Sequence, residues 1–210
     1  MPSAKVSKRR ARERLARIRA KQRRRARHRN ILISAAVALP VAVLIAAAGL
    51  ALAFHGDAPG VSGVRTFSGL SRAHTVSPVR YTQQPPAGGP HNPVWLNCGI
   101  YPRPVPDGSA VHSLEHGAVW ITYRPDLPAT AVSQLQHLVR GEPVRAREYA
   151  ILSPYPGLPV PVVASAWGKQ LRLAGPSDPR LQRFISTYAQ GPQTPEPGAA
   201  CSGGTGTPMP

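Results

Sequence analysis

Several common functional motifs are absent from this sequence. It contains no Gly-x-Ser-x-Gly turn, no glycine-rich phosphate loop, no Cys-x-x-Cys pair and no Asn-x-Ser/Thr acceptor. These absences exclude the nucleophile elbow of α/β-hydrolases, a nucleotide-binding P-loop, a thioredoxin-type redox centre and N-glycosylation. The chemistry of this chain must therefore come from other residues.

Acidic residues are scarce, and most of the resulting charge imbalance lies at one end. Nine Asp and Glu stand against 26 Lys and Arg, which gives a formal net charge of +17. Residues 1–30 hold 14 of the bases and one acid, Glu13, whereas residues 31–210 hold 12 bases and eight acids, a balance of +4. We interpret residues 1–30 as a basic cytoplasmic tail that contacts anionic lipid headgroups. Nucleic acid is disfavoured as a partner because the tail has no aromatic side chain on which bases could stack.

Charge is missing altogether from residues 34–53. The apolar run at residues 31–54 would reach roughly 36 Å as a helix, which is enough to cross a hydrocarbon core of about 30 Å. Because the bases precede this run, we expect a single-pass protein of the cell membrane with its N-terminus in the cytoplasm and residues 55–210 outside. Cleavage after Ala51-Leu52-Ala53 is the alternative. Small residues four apart, such as Ala42 and Ala46, would allow a homo-oligomer.

Cysteine is limited to two residues, Cys98 and Cys201, and both lie in the part expected outside the membrane. In an oxidising compartment such a pair forms a disulfide by default. A bridge that closes a loop of about 100 residues would stabilise the fold by roughly 4–5 kcal/mol on the chain-entropy account. Two free thiols or a metal thiolate are the alternatives.

The composition divides the outer part into three segments. Residues 55–73 are Gly, Ser, Pro and short polar residues, which predicts a flexible tether. Residues 74–201 carry the apolar patterning of one folded domain, and residues 202–210 read as a disordered tail. The domain is expected to be α+β, with a mostly antiparallel sheet and two helices on one face.

The expected elements of the domain follow from periodicity and from helix-start signals. Apolar residues at helical spacing predict one helix at 130–140 and a second that opens at Asp178, followed by Pro179 in the first helical position. β-Branched and aromatic runs predict strands. These strands cover residues 79–82, 94–97, 117–123, 148–153, 161–167 and 171–173.

Histidine is the residue type with the most informative distribution. Four of the seven histidines, His74, His91, His112 and His116, fall within 43 residues of the domain. Imidazole suits zinc, copper, iron or nickel, and two histidines four residues apart can reach one ion from a single turn. Glu115 would then act as a further ligand or orient an imidazole. The alternative is that these histidines bond the backbone of a loop-rich domain.

The string from His112 to His116 also matches the inverted zinc-protease spacing His-x-x-Glu-His. That interpretation requires a sustained helix, so that both imidazoles project towards the metal. Gly117 and a strong strand follow at once, and prolines at 102, 104 and 106 precede the string closely. At most one helical turn is expected here, which disfavours a peptidase.

Several segments together resemble the DUF3105 family, bacterial membrane-anchored proteins of unknown function. The matching strings are Tyr81-Thr-Gln-Gln-Pro-Pro-Ala-Gly-Gly-Pro-His91, Asn97-Cys-Gly-Ile-Tyr101, Val111-His-Ser-Leu-Glu-His-Gly-Ala-Val-Trp-Ile-Thr-Tyr123, Ala166-Trp-Gly168 and Pro195-Glu-Pro197. The resemblance implies membrane topology and domain identity, from about His74 to Cys201, and implies no activity. The four histidines and Glu115 fall at positions that match the family pattern.

Three functions follow as expectations. The first is a membrane-tethered extracytoplasmic domain that binds copper or zinc through His74, His91, His112 and His116, with Glu115 as ligand or outer-shell residue. The second is a metal-free module that binds another envelope protein. The third, and weakest, is a metallohydrolase that uses the string from His112 to His116. No catalytic residue is assigned.

Overall fold

The structure of this protein is a computed structural model, and it describes residues 60–210. The expected basic tail at 1–30, the expected membrane segment at 31–54 and the start of the expected tether lie outside the described residues. Within residues 60–210, no helix is both long enough and apolar enough to cross a membrane.

Six strands form one sheet in the order β1-β6-β5-β3-β4-β2. Three of the five pairings are antiparallel and two are parallel, so the expectation of an α+β domain with a mostly antiparallel sheet is confirmed. The strands are β1 (Arg65–Thr66), β2 (Gly99–Ile100), β3 (Val119–Tyr123), β4 (Ala150–Pro154), β5 (Val162–Ala166) and β6 (Lys169–Leu173).

Four helices accompany the sheet in the described part of the chain. They are α1 (Asp107–Glu115), α2 (Ala129–Gly141), α3 (Val144–Glu148) and α4 (Pro179–Tyr188). Strands β3 and β4 run parallel, which requires a long crossover connection, and α2 and α3 supply it. Strand β3 is central and every one of its residues is buried, as its apolar sequence predicts.

One face of the sheet is covered by the two helices that the sequence predicts. In α2, Leu135 and Val139 are buried, and in α4, Leu181, Phe184 and Ile185 are buried in the same core cluster. Helix α4 begins as expected, because the Asp178 side chain accepts a hydrogen bond from the Arg180 backbone N–H at 3.0 Å. These two helices are confirmed.

The opposite face carries α1, which the sequence analysis missed. Ala110, Val111 and Leu114 pack in a second core cluster with Trp120 and Ile151 of the sheet. The expectation that at most one helical turn fits at this string was wrong, because α1 has nine residues. The prolines at 102, 104 and 106 precede this helix rather than interrupt it, and Pro106 occupies the N-cap position with an extended backbone.

Burial explains why no periodicity revealed α1. All residues from Ser109 to Glu115 are buried, polar ones included, so the helix has no solvent face and no amphipathic pattern. The strands expected at 79–82 and 94–97 are also absent. Both segments are irregular in this proline-rich region, apart from an isolated bridge between Leu96 and Thr205.

Two segments expected to be free take part in the fold. In the expected tether, Val61 is buried and Arg65–Thr66 pairs with β6. In the expected tail, the Thr205 backbone N–H donates to the Trp95 carbonyl at 2.9 Å, and the Met209 N–H donates to the Ile100 carbonyl at 2.7 Å. Backbone pairing can hold polar, glycine-rich sequence in place where side-chain patterning gives no signal.

The expected disulfide between Cys98 and Cys201 is confirmed, with a Cα–Cα distance of 5.3 Å. It joins residues 103 apart in sequence and ties the chain after α4 to the loop before β2. The chain-entropy stabilisation of roughly 4–5 kcal/mol expected for such a loop is a large share of the stability of a domain of this size.

Gly117 connects the end of α1 to β3 and should not tolerate a side chain. Its φ is +97°, and a Cβ would lie 2.5 Å from Gln190 Nε2 and 2.9 Å from Thr194 Cγ2. Gly117→Ala should therefore lower the free energy of unfolding by roughly 1–3 kcal/mol. Urea denaturation of the full-length chain measures this change.

Gly141 provides the matched control. It ends α2 at an ordinary helical φ, and a Cβ there would meet nothing within 4 Å. Gly141→Ala should leave stability unchanged or raise it by up to about 1 kcal/mol. Equal effects of the two substitutions would contradict the assigned role of Gly117.

Candidate metal centre

The last turn of α1 supplies two of the candidate side chains. His112 and Glu115 are three residues apart, so both project from the same side of the helix. They are 4% and 1% exposed respectively. A polar pair buried this deeply requires partners.

The loop before α1 supplies the third side chain. The Pro90 carbonyl accepts a hydrogen bond from the Tyr81 hydroxyl at 2.7 Å, which fixes the loop next to His91. Gly89 has a φ of +118°, a conformation that favours glycine. This bend lets the Gly89 carbonyl reach back to the imidazole of His91, which is fully buried.

A short backbone ladder brings His74 beside His91. The His91 N–H donates to the Ala73 carbonyl at 3.0 Å, and the Thr75 N–H donates to the His91 carbonyl at 2.7 Å. His74 and His91 consequently form an isolated parallel bridge. The His74 side chain is half exposed, so this edge of the cluster faces solvent.

The three imidazoles form a triangle around a common space. The ring centroids of His74, His91 and His112 are 4.9 Å apart in each of the three pairs. One nitrogen from each ring and one oxygen of Glu115 all lie within 4.8 Å of one another. The structure thus brings together four of the five residues that the sequence analysis named.

Hydrogen bonds to the backbone orient two of these rings. His91 Nδ1 lies 2.7 Å from the Gly89 carbonyl oxygen, and His112 Nδ1 lies 2.7 Å from the Asn92 carbonyl oxygen. A carbonyl oxygen only accepts, so each Nδ1 carries the proton, and the Nε2 of a neutral ring keeps its lone pair. Metal-binding histidines are oriented by the same kind of contact.

Burial also favours the uncharged form of His112. Its loss of solvent lowers the pKa of the imidazole, and the neighbouring rings of His116, His91 and His74 lower it further. The bond to the Asn92 carbonyl acts in the opposite direction and is the smaller effect.

His91 Nε2 and Glu115 Oε2 lie close together without a hydrogen bond between them. They approach to 2.9 Å, but their geometry is not that of a hydrogen bond, and within the described residues the buried nitrogen has no hydrogen-bond partner. A hydrogen bond requires the donor to point at the acceptor, so the short distance alone does not make this contact one. Two electron-rich atoms this close in a buried space repel each other unless a proton or a metal cation compensates them.

The other oxygen of Glu115 is bound by Arg72. Arg72 Nε donates to Glu115 Oε1 at 2.5 Å, and Arg72 Nη2 donates to Glu196 Oε1 at 2.8 Å. Glu115 Oε2 is therefore left to face His91 and His74, the latter at 3.8 Å. Neither Arg72 nor Glu196 was identified from the sequence, since single charged residues 124 positions apart give no spacing signal.

His116 lies beside the group of four and is not part of it. Its Nδ1 contacts the Ala200 carbonyl oxygen at 2.7 Å, and its Nε2 lies 3.7 Å from Glu196 Oε2. Its ring centroid is 4.6 Å from that of His112. In the inverted zinc-protease pattern both histidines bind the metal and the glutamate acts on water. Here Glu115 lies among the ligand atoms instead.

Comparison with known proteins gives one match. The model of the family described as "Protein of unknown function (DUF3105)" matches residues 73–203. This range includes the three histidines and Glu115 of the cluster and both cysteines. No curated protein and no solved structure matches this chain. Because the match covers more than half of the sequence, the chain belongs to the DUF3105 family.

Proposed function

We propose that this domain binds one divalent transition-metal ion through His74, His91, His112 and Glu115. The observation that carries the proposal is the contact between His91 and Glu115. There a buried imidazole nitrogen and a buried carboxylate oxygen face each other at 2.9 Å without a hydrogen bond. A bound cation would satisfy both atoms at once.

The donor set suits zinc or copper. Three imidazole nitrogens are borderline ligands that suit Zn²⁺ and Cu²⁺ rather than Mg²⁺ or Ca²⁺, and Zn²⁺ also accepts a carboxylate oxygen as its fourth ligand. Zn–N bonds of 2.0–2.1 Å in a tetrahedron place ligand atoms about 3.3 Å apart. The group spans up to 4.8 Å, so its wider distances must contract on binding, while His91 Nε2 and Glu115 Oε2, at 2.9 Å, must separate slightly. His74 is half exposed and can make that movement.

Four protein ligands would close a tetrahedral site. Structural zinc sites have four protein ligands, whereas catalytic sites keep a position open for water. Arg72 already donates a hydrogen bond to Glu115 Oε1, so that oxygen is not free to act as a general base. These observations favour metal binding over hydrolysis as the role of the cluster.

We also propose that the domain is held outside the cell membrane by the basic tail and the apolar segment at 31–54. The charge asymmetry across that segment supports this topology, and so does the disulfide, which suits an oxidising compartment. The tail would contact anionic lipid headgroups. A metal site at the cell exterior would take its ion directly from the surroundings through the exposed edge at His74.

A metal-free module that binds an envelope protein is the competing proposal. The observation in its favour is that His91, His112 and His116 each contact a backbone carbonyl oxygen at 2.7 Å. The contacts of His112 and His116 join two other segments to the end of α1, and the contact of His91 fixes its own loop. All three would stabilise the domain without any metal. The two proposals differ in how stability depends on metal.

Zinc titration tests the metal proposal. The full-length chain, purified in detergent and freed of metal, should bind one equivalent of Zn²⁺ or Cu²⁺ with a Kd below about 10 μM in calorimetry. His91→Ala and His112→Ala should each weaken binding by more than about 100-fold, the upper limit seen for outer-shell partners.

His137→Ala is the matched control for this titration. His137 is exposed on α2 and belongs to the opposite face of the domain, so its removal should leave affinity unchanged. Binding weaker than about 10 μM for the unmodified chain contradicts the metal site. If His91→Ala and His112→Ala lowered the zinc affinity no more than His137→Ala does, the ion would bind outside the cluster.

Unfolding in the presence and absence of zinc separates the two proposals. Zinc at 100 times its Kd should raise the free energy of unfolding by about 2.7 kcal/mol, and chelator should abolish the increase. His91→Ala should show no such increase. The metal-free module would instead be supported if zinc did not change the free energy of unfolding of the unmodified chain. His112→Ala should then lower that free energy by the same amount in zinc and in chelator.

A further inference from the structure

A segment with no regular secondary structure lies across the end of α1. We call residues 195–201 the strap. The Glu196 N–H donates to the Glu115 carbonyl at 3.1 Å, and the Ala200 carbonyl oxygen lies 2.7 Å from His116 Nδ1. The backbone of the strap therefore contacts the last residue of the helix and its C-cap, next to the metal ligands.

The strap also provides a side chain that organises the centre. Glu196 Oε1 accepts from Arg72 Nη2 at 2.8 Å, while Arg72 Nε is bonded to Glu115. Glu196 Oε2 lies 3.7 Å from His116 Nε2. One carboxylate thus faces both the guanidinium that bonds Glu115 and the imidazole that packs against His112.

Away from the metal centre, the disulfide and three hydrogen bonds hold the strap in place. The Gly198 N–H donates to the Gln190 side chain at 2.8 Å, and the Tyr149 hydroxyl donates to the Ala199 carbonyl at 2.8 Å. At its end the Cys201 carbonyl accepts from the Cys98 N–H at 2.7 Å, beside the disulfide. A segment without helix or strand opens at lower free energy than the core elements, and a cross-link limits that opening.

We propose that the strap is a positioning element of the metal centre, and that closure of the Cys98–Cys201 disulfide sets the affinity of the centre for metal. The proposal rests on the metal-binding function proposed above. With the disulfide closed, Glu196 holds Arg72 on Glu115 and leaves Glu115 Oε2 directed at the histidines. With the disulfide open, the strap moves away and Arg72 loses one of its two carboxylate partners.

The disulfide lies beside a cleft, with Cys98 partly exposed and Cys201 buried. A cleft of about 570 Å³ is lined by both cysteines together with residues of the strap and of α3, Glu148 among them. A thiolate of a dithiol partner would attack one sulfur and form a mixed disulfide, which the partner's second thiol resolves. The exchange leaves Cys98 and Cys201 as two thiols and the partner as a disulfide, so electrons and protons balance.

Zinc affinities of three variants of the full-length chain test the proposal. The double variant Cys98→Ala/Cys201→Ala removes the disulfide without adding thiols that could themselves bind zinc. It should bind Zn²⁺ about 10- to 100-fold more weakly than the unmodified chain, and Glu196→Gln, with the disulfide intact, should weaken binding by about 10-fold. Glu148→Gln is the control, because Glu148 is an exposed acid that lines the same cleft and lies outside the four-residue cluster.

The visible absorption of bound Co²⁺ gives a second readout that a purely structural role would not change. It should shift in Glu196→Gln and not in Glu148→Gln, because only Glu196 acts on the ligand geometry. Circular dichroism checks that each variant is folded, and if the double cysteine variant is not, Glu196→Gln decides. Unmodified affinity and spectrum in Glu196→Gln would overturn the proposal while leaving the metal site intact. Absence of zinc binding by the unmodified chain would remove the metal site itself.

Discussion

The contact between the Glu115 carboxylate and the ring of His91 is the constraint on which the rest of the site depends. Both groups are almost fully removed from solvent, and burial of unpaired polar groups costs several kcal/mol. Arg72 compensates one carboxylate oxygen, and the other faces a ring nitrogen that has no hydrogen-bond partner among the described residues. A fold that brings these atoms together must recover that cost, and the metal ion that we propose would recover it locally.

The architecture explains how the site is kept in register. Helix α1 packs through Ala110, Val111 and Leu114 on one face of the sheet, while α2 and α4 cover the other face. Gly117 turns the chain from the helix directly into β3, so the last turn of α1 is anchored to the central strand. The ligands from α1 are therefore rigid, whereas His74 comes from an exposed loop. This arrangement would suit the proposed site, with His91, His112 and Glu115 held in place and His74 able to close over the ion.

Much of this structure was predictable from the sequence, and the failures have physical causes. The strand β3 and the helix start at Asp178 depend on residues adjacent in sequence, so both could be predicted. Helix α1 was not predictable, because its polar residues, including His112 and Glu115, are buried along with its apolar ones and the helix has no amphipathic periodicity. The sequence analysis named the four residues that the structure brings together, and it also named His116, which lies outside the group. One residue along a helix turns a side chain by about 100°, and this rotation separates Glu115 from His116. Arg72 and Glu196 meet only through tertiary structure.

X-ray absorption at the zinc edge of the zinc-loaded, full-length chain is the most direct test of the central claim. The account predicts four nitrogen or oxygen neighbours at about 2.0–2.1 Å, with outer-shell scattering from three imidazole rings. Sulfur at about 2.3 Å would identify cysteine ligands instead. Oxygen neighbours without imidazole scattering would mean that zinc binds at the surface, and either result would contradict a centre built from His74, His91, His112 and Glu115.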